Sequence, residues 1–215
     1  MAWRDVSDLP FAAVLTAHEG GLAPADQYEG VHFDGLAFDA ENAGGSGFLE
    51  CAFTQVSVQD GKLRRARFTD VLLRDVRLIA TSLAETGWAD VTFDSCVAAG
   101  VEAFAARLRR VTLRGCKLDS VNFRDAQLTD VTFEDCVLKD VDFGGAALTR
   151  TAFPGCRLSG TDFSRVRLDK VDLRGAELGL IIDPPALRGA IVTTAQLLDM
   201  APLLAASLGI AVDDG

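Results

Sequence analysis

Two sets of side chains in this 215-residue chain have the types and spacing to do chemistry: the cysteines and the carboxylates. Cys96, Cys116, Cys136 and Cys156 recur every twenty residues, with Cys51 outside that run. If successive twenties stack, neighbouring cysteines come within the Cα range of a disulfide. The equivalent slots elsewhere hold Val, Ala and Thr, so the simpler expectation is a reduced thiol serving as a small hydrophobe. There is no CxxC pair, and His18 and His32 are the only imidazoles, which argues against a zinc site. No GxGxxG follows a strand, and neither a P-loop nor a nucleophile elbow occurs. His18, expected on an N-terminal helix, and His32, on the first repeat, read as surface residues. The expectation is therefore a protein with no cofactor, no metal and no catalytic residues.

The carboxylates are more suggestive. Asp125, Asp130, Asp135 and Asp140 follow one another at intervals of five. At intervals of twenty the chain reads Glu50, Asp70, Asp90, Arg110, Asp130, Arg150, Lys170, acids first and bases last. Evenly spaced carboxylates on a straight rod would imitate the phosphates of a duplex. The competing explanation is that these positions are turns, which favour Asp for conformational reasons. Two basic clusters, Arg64, Arg65, Arg67 and Arg107, Arg109, Arg110, Arg114, interrupt any uniform acidity. Pairing with acids twenty residues away, as between Arg65 and Glu85, would absorb some of them. The net charge is −10, of which residues 31–180 contribute only −3. An acidic chain of this kind repels nucleic acid and suits a basic protein partner. No apolar run approaches a membrane span, and Met1-Ala2-Trp3-Arg4-Asp5 lacks a signal-peptide layout, so a cytoplasmic protein with no membrane contact is expected.

What positions these groups is a five-residue repeat. Every fifth residue from Phe33 to Leu178 is apolar, thirty positions in all, and only Ala43, Ala98 and Ala103 are small. At 49% hydrophobic composition this is a chance event on the order of one in a billion. Eleven of the thirteen phenylalanines fall in this column. Two residues earlier the column is Val, Ala, Cys, Thr, Ser or Gly, apart from Leu36 and Glu41. Side chains two apart share a face of an extended strand, so both columns point inward. The next inward residue is three away, an odd step, so the chain must turn once in every five. The cysteine interval of twenty makes four faces to a coil. Phe123, Phe133, Phe143, Phe153 and Phe163 alternate with Leu128, Leu138, Leu148 and Leu158, which stacks like on like. The expected fold is an all-β solenoid, a right-handed quadrilateral β-helix over residues 31–180 with short N- and C-terminal helical caps.

Two stretches break the rhythm: Ala43-Gly44-Gly45-Ser46-Gly47, expected as a small loop or bulge, and Ala98–Ala106, expected as a distorted coil with Phe104 off register. Residues 1–30 form the N-terminal cap, in which a helix with Asp8 as N-cap and Pro10 in its first turn would cover the open first coil. Residues 181–215 form the C-terminal module. There Asp183-Pro184-Pro185 is a turn, and Leu187–Val192 adds a last irregular coil. Thr193-Thr194 opens an apolar helix that Pro202 either kinks or splits. Gly209 ends it, and Ile210-Ala211-Val212 is extended. So apolar a helix either caps its own rod or pairs with a second copy.

Val171-Asp172-Leu173-Arg174-Gly175-Ala176-Glu177-Leu178 resembles the pentapeptide-repeat consensus A-(D/N)-L-x-x, and the resemblance covers about 150 residues. Leu187-Arg188-Gly189-Ala190-Ile191-Val192 and Ala206-Ser207-Leu208-Gly209-Ile210-Ala211-Val212 are similar to the C-terminal end of the Qnr and MfpA proteins, with AlbG a further relative by pattern. That resemblance implies a homodimeric rod that binds DNA gyrase or topoisomerase IV and shields it from quinolone-like poisons. It implies dimer contacts from Leu197, Leu198, Leu203, Leu204, Leu208 and Ile210. It also implies topoisomerase-facing acids among Glu50, Asp70, Asp90, Asp125, Asp130, Asp135 and Asp140. The chain departs from the group in its first 30 residues, in having no large projecting loops and in its basic clusters. The alternative is a protein-binding pentapeptide scaffold without a topoisomerase role.

Overall fold

The structure, a computed structural model, describes residues 3, 5–181 and 184–211. Within it the five-residue rhythm becomes a parallel β-solenoid of about eight turns. Strands Gly47–Thr54, Arg67–Arg74, Gly87–Asp94, Arg107–Arg114 and Gln127–Glu134 pair in steps of twenty, so that Phe48, Phe68, Trp88, Leu108 and Leu128 lie in one row. Each of these strands spans two faces across a corner. A third face is an eight-stranded parallel sheet from Ala37–Asp39 to Glu177–Ile181. The fourth is joined by isolated bridges from Asn42↔Lys62 to Asp142↔Asp162.

The turn demanded every five residues is a single residue in the left-handed region. Glu50, Gln55, Asp60, Arg65 and Asp70 have φ of 52, 53, 51, 61 and 53°. The pattern repeats along the rod, with glycine at some corners, such as Gly35, Gly100 and Gly115. Between corners, both inward columns are buried, and Phe33, Phe48, Phe133, Phe143, Phe153 and Phe163 are sealed from solvent. Like stacks on like: Phe33 on Phe53 at 4.4 Å, Phe68 on Trp88 at 3.8 Å and Phe133 on Phe153 at 4.9 Å, each pair within 6° of parallel. Full burial of each such ring contributes about 2–3 kcal/mol. The one inward indole is satisfied, its Nε1 donating to Thr86 Oγ1 at 2.8 Å.

The five cysteines are buried and unbridged. Burial pushes the Cys51 thiol up to about 11. Hydrogen bonding with the Cys116 thiol, then burial, pushes Cys136 up to about 12. Cys156 is raised by its hydrogen bond with Cys136 and by burial. All five serve as packing residues, as the company of Val, Ala and Thr in their column suggests.

Both expected breaks are in register. Gly45 takes the left-handed corner of its coil (φ 74°) and donates to Arg64 O at 2.9 Å. The Gln27 Oε1 occupies the space a Cβ on Gly47 would need, so Gly47 makes room for a polar neighbour and the segment forms no loop. Val97–Ala99 pairs with both neighbouring coils, and Phe104 stands at an ordinary outward position. What Ala98 and Ala103 change is packing: a cavity of about 50 Å³ opens beside them, against Leu83, Trp88 and Phe123. Such a void costs about 1 kcal/mol.

The ends depart further from expectation. The helix with Asp8 as its N-cap is replaced by two 3-10 turns, Val6–Asp8 and Ala12–Val14. Asp5 is the cap of the first, and Asp8 reaches back to its backbone N–H at 3.0 Å. Pro10 lies between the turns, so the segment stays short and runs over the outside of the rod. Leu9 and Phe11 bury themselves against Ala52 and Leu72, and Arg74 is ion-paired with Asp5. The first coil is covered instead by residues 16–30, which already join the parallel ladder: Thr16 pairs with Val31 and Gln27 with Gly47. His18 lies on no helix; its ring packs on Phe33 at 4.6 Å and Tyr28 at 5.7 Å, half-buried. His32 faces outward, its Nε2 2.8 Å from Thr54 Oγ1.

At the other end a register shift appears between Ser159 and Thr161, and Ala190–Ile191 pairs with Val171–Asp172 to complete a last irregular coil. Gly189 (φ 92°) passes so close to the Leu168 carbonyl that no Cβ fits. Thr193 caps one continuous helix, Thr194–Ser207, which runs through Pro202 without splitting. Gly209 (φ 70°) ends it, with Ile210 N donating to Ala205 O and Gly209 N to Ala206 O. Asp183 of the expected turn and Val212 of the expected extended tail lie outside the described residues.

Candidate functional site: corner carboxylates and the C-terminal helix

All seven singled-out acids stand at left-handed corners, with φ between 51 and 58°. Asp tolerates this conformation better than most residues, which gives the turn explanation a concrete basis. Conformation does not decide what each carboxylate then faces. Glu50, Asp70, Asp90 and Asp130 lie along one corner edge of the rod, where the long strands of the ten-stranded sheet bend, and Asp125, Asp130, Asp135 and Asp140 ring a single coil.

Along the edge, two of the four acids are taken. Arg110 grips Asp90 with both nitrogens, Nε at 2.6 Å, and Arg150 grips Asp130 at 2.5 and 2.7 Å. The guanidinium hydrogen bonds hold both carboxyls below the usual carboxylate range. Asp70 moves the other way, raised by burial and then by the charge of Asp90. It shares a hollow with Trp3, Val91 and Thr112. Glu50 makes no ion pair among the described residues. The edge is therefore acidic at its N-terminal end and neutralised by in-line pairs beyond it.

Around the ring, the next coil decides. Asp125, Asp135 and Asp140 each extend an Oδ1 over a corner glycine one coil on, Gly145, Gly155 and Gly160, into the space a Cβ would need. Asp125 and Asp135 have no ion pair among the described residues, and Asp140 has only Lys139 Nζ at 3.9 Å. Three carboxylates at three corners of one coil thus stay largely uncompensated because glycine lies beyond each of them. Sequence reading saw the acids but missed the glycine at +20 that leaves them open. It also missed the arginine at +20 that closes Asp90 and Asp130, although Arg65–Glu85, which it did anticipate at the same interval, forms at 2.7 Å.

The C-terminal helix is anchored by Gln196, whose Nε2 donates to Leu173 O at 2.7 Å and Ala176 O at 2.8 Å. Beyond that anchor, Leu197, Leu198, Leu203, Leu208 and Ile210 are exposed, Leu198 at 67% and Leu208 at 75%, while Leu204 is half-buried. Ile181 and Ile191 add exposed apolar surface at the same end. Among the described residues no group of three or more His, Cys, Asp or Glu side chains is arranged to hold a metal. No helix among them is long and apolar enough to cross a membrane.

Residues 86–163 match the pentapeptide repeat region family. Among solved structures, full-length QnrB1, a plasmid-mediated fluoroquinolone resistance protein, is similar at 18% identity and a TM-score of 0.40, over 83% of this chain and all of that one. HetL, a pentapeptide repeat protein involved in heterocyst differentiation regulation in Nostoc sp. strain PCC 7120, is similar at 18% identity and a TM-score of 0.33, over 79% of this chain and 90% of that one. No curated protein sequence matches the chain. Residues 86–163 are thus a pentapeptide repeat region, and the left-handed corners and two inward columns found there recur every five residues along the rod.

Proposed function

We propose that this chain is a non-enzymatic rod that presents carboxylates to a type II topoisomerase, DNA gyrase or topoisomerase IV, in place of DNA, and so modulates the enzyme or protects it from poisons such as quinolones. The observation that carries the reading is the largely uncompensated set of Asp125, Asp135 and Asp140 at three corners of one coil, on a rod whose coils repeat at the ~4.8 Å strand spacing. Fixed carboxylates of that kind favour a cationic, duplex-binding groove, and no ordering cost remains to oppose the encounter. The tail, similar to that of the Qnr and MfpA proteins, directs the choice of target. Asp90 and Asp130, gripped by arginine, contribute shape more than charge, so the acids expected to matter are Glu50, Asp70, Asp125, Asp135 and Asp140. A second copy docked on Leu197, Leu198, Leu203, Leu208 and Ile210 would make the functional unit a twofold dimer.

The test is a supercoiling assay with purified gyrase, with and without a quinolone. The reading expects inhibition of supercoiling or relief of cleavage-complex formation at micromolar protein. Absence of both leaves the protein a scaffold for some other partner.

A further inference from the structure

Six cations on this rod are matched by an acid one coil away: Arg65 with Glu85, Arg110 with Asp90, Arg114 with Glu134, Arg150 with Asp130, Arg157 with Glu177 and Lys139 with Asp119. Three arginines left over from the two basic clusters have no such partner and stand together. Arg67, Arg107 and Arg109 line a hollow of about 350 Å³ on the outside of the ten-stranded sheet. Its floor is Gly87 and Ala89, and Thr69, Gln127 and Thr129 complete its rim. The residues one coil from these arginines are Gly47, Gly87, Ala89, Gln127 and Thr129, none of them acidic. None of the three arginines makes an ion pair among the described residues, and all three are exposed. The nearby carboxylate of Asp90 is already held by Arg110.

The hollow has a shape as well as a charge. A Cβ on Gly87 would meet only Arg67 Cγ, at 3.8 Å, so the notch between Arg67 and Arg107 is open. At Gly47, Gly145 and Gly155 the equivalent space is filled by a neighbouring Gln or Asp oxygen. Arg67 and Arg107 stand two coils apart, about 9.6 Å at ~4.8 Å per strand. Two guanidiniums have no acceptor to offer each other, and this spacing suits an oxyanion lying between them. Guanidinium forks donate pairwise to phosphate oxygens, and the threonine hydroxyls add neutral donors. We propose that this hollow binds a small, multiply charged phosphate anion, seated over Gly87 between Arg67 and Arg107 and closed on one side by Arg109. Three like charges gathered with no carboxylate opposite them in the neighbouring coils would take their counter-ion from solution.

Calorimetric titration of the full chain with inorganic pyrophosphate at low ionic strength tests this. The expected result is saturable one-to-one binding, weaker for orthophosphate, and at least tenfold weaker in R107Q. Gly87→Asp places a carboxylate between the two arginines; it should abolish binding while leaving the melting temperature equal or higher. R167Q, in the same row farther along, should bind like the wild type. The proposal is overturned by absence of saturable binding in the wild type, by equal losses in R107Q and R167Q, or by undiminished binding in a folded Gly87→Asp variant. A short DNA duplex offered at equal phosphate concentration is the remaining arm. Arg107-dependent binding of the duplex alone would also overturn the small-anion site.

Discussion

At the N-terminal end the chain closes its own open coil, whereas at the C-terminal end it builds a helix and leaves the apolar side of that helix uncovered. The first coil is sealed by rings: Tyr28 stacks on Phe48 at 4.9 Å and its hydroxyl accepts from Ala23 N at 2.9 Å, while His18 lies on Phe33. The preceding strap adds Leu9 and Phe11 over Ala52 and Leu72. At the other end Ala186, Leu187, Ala190 and Val192 pack on the core, so the last coil is already covered before the helix begins. The helix adds Gln196 on the Leu173 and Ala176 carbonyls but leaves most of its apolar side outside the rod. Its exposed leucines meet the requirement that a solenoid terminus hide apolar surface only if something else lies against them. One end is self-sufficient, and the other leaves an apolar face exposed that the proposed second copy would cover.

The largest expected effect lies at the C-terminal end. The double variant Leu198→Asp, Leu208→Asp should convert a dimer into a monomer, halving the mass seen by light scattering while the β circular dichroism stays unchanged. An unchanged mass would make the two ends equivalent. At the closed end, Phe11→Ala should cost about 3 kcal/mol in denaturant unfolding and leave the mass alone, because that ring is buried only within one chain.

A smaller effect comes from the thiols between the ends. Cys51, Cys116, Cys136 and Cys156 are all raised in the folded chain, so below about pH 8.5 both states are neutral and the stability they contribute is fully present. Above that, the unfolded chain ionises first, and stability falls as pH rises toward about 11 and about 12, the values for Cys51 and Cys136. Denaturant midpoints should drop on going from neutral to alkaline buffer, and less so in a Cys116→Ala, Cys136→Ala, Cys156→Ala variant. The smallest effect is at a corner: Ala105→Gly removes a left-handed alanine (φ 54°) and should stabilise by about 1 kcal/mol, measured as a shift in midpoint.

The repeat was legible because it is written in side-chain size at a fixed interval, and both inward columns, the four faces and the stacking of Phe on Phe follow from counting. The ends were not, because Asp8-Leu9-Pro10 carries a helix-start signal that competes with burial. Phe11 gains more against Leu72 than a short helix could offer, and the segment settles as two turns. Glycine misled in the opposite direction. Gly44, Gly45 and Gly47 suggest a loop by composition, yet Gly45 takes an ordinary left-handed corner, and Gly44 and Gly47 lie under the polar side chains of Asn42 and Gln27. For the candidate surface, the acids were visible but their availability was not, since it depends on whether arginine or glycine occupies the same corner one coil later. Asp130 and Asp135 look alike in sequence; Arg150 lies beyond the first and Gly155 beyond the second.

The central claim is that the carboxylate ring takes the place of DNA on a topoisomerase. It is tested most directly by titrating the protein into gyrase bearing a fluorescent linear duplex and following the release of the duplex. The account predicts competitive displacement that weakens with rising salt, and a displacement constant at least tenfold poorer when Asp125, Asp135 and Asp140 are changed together to Asn. Retention of the duplex at saturating protein, or equal displacement by the triple variant, would contradict it.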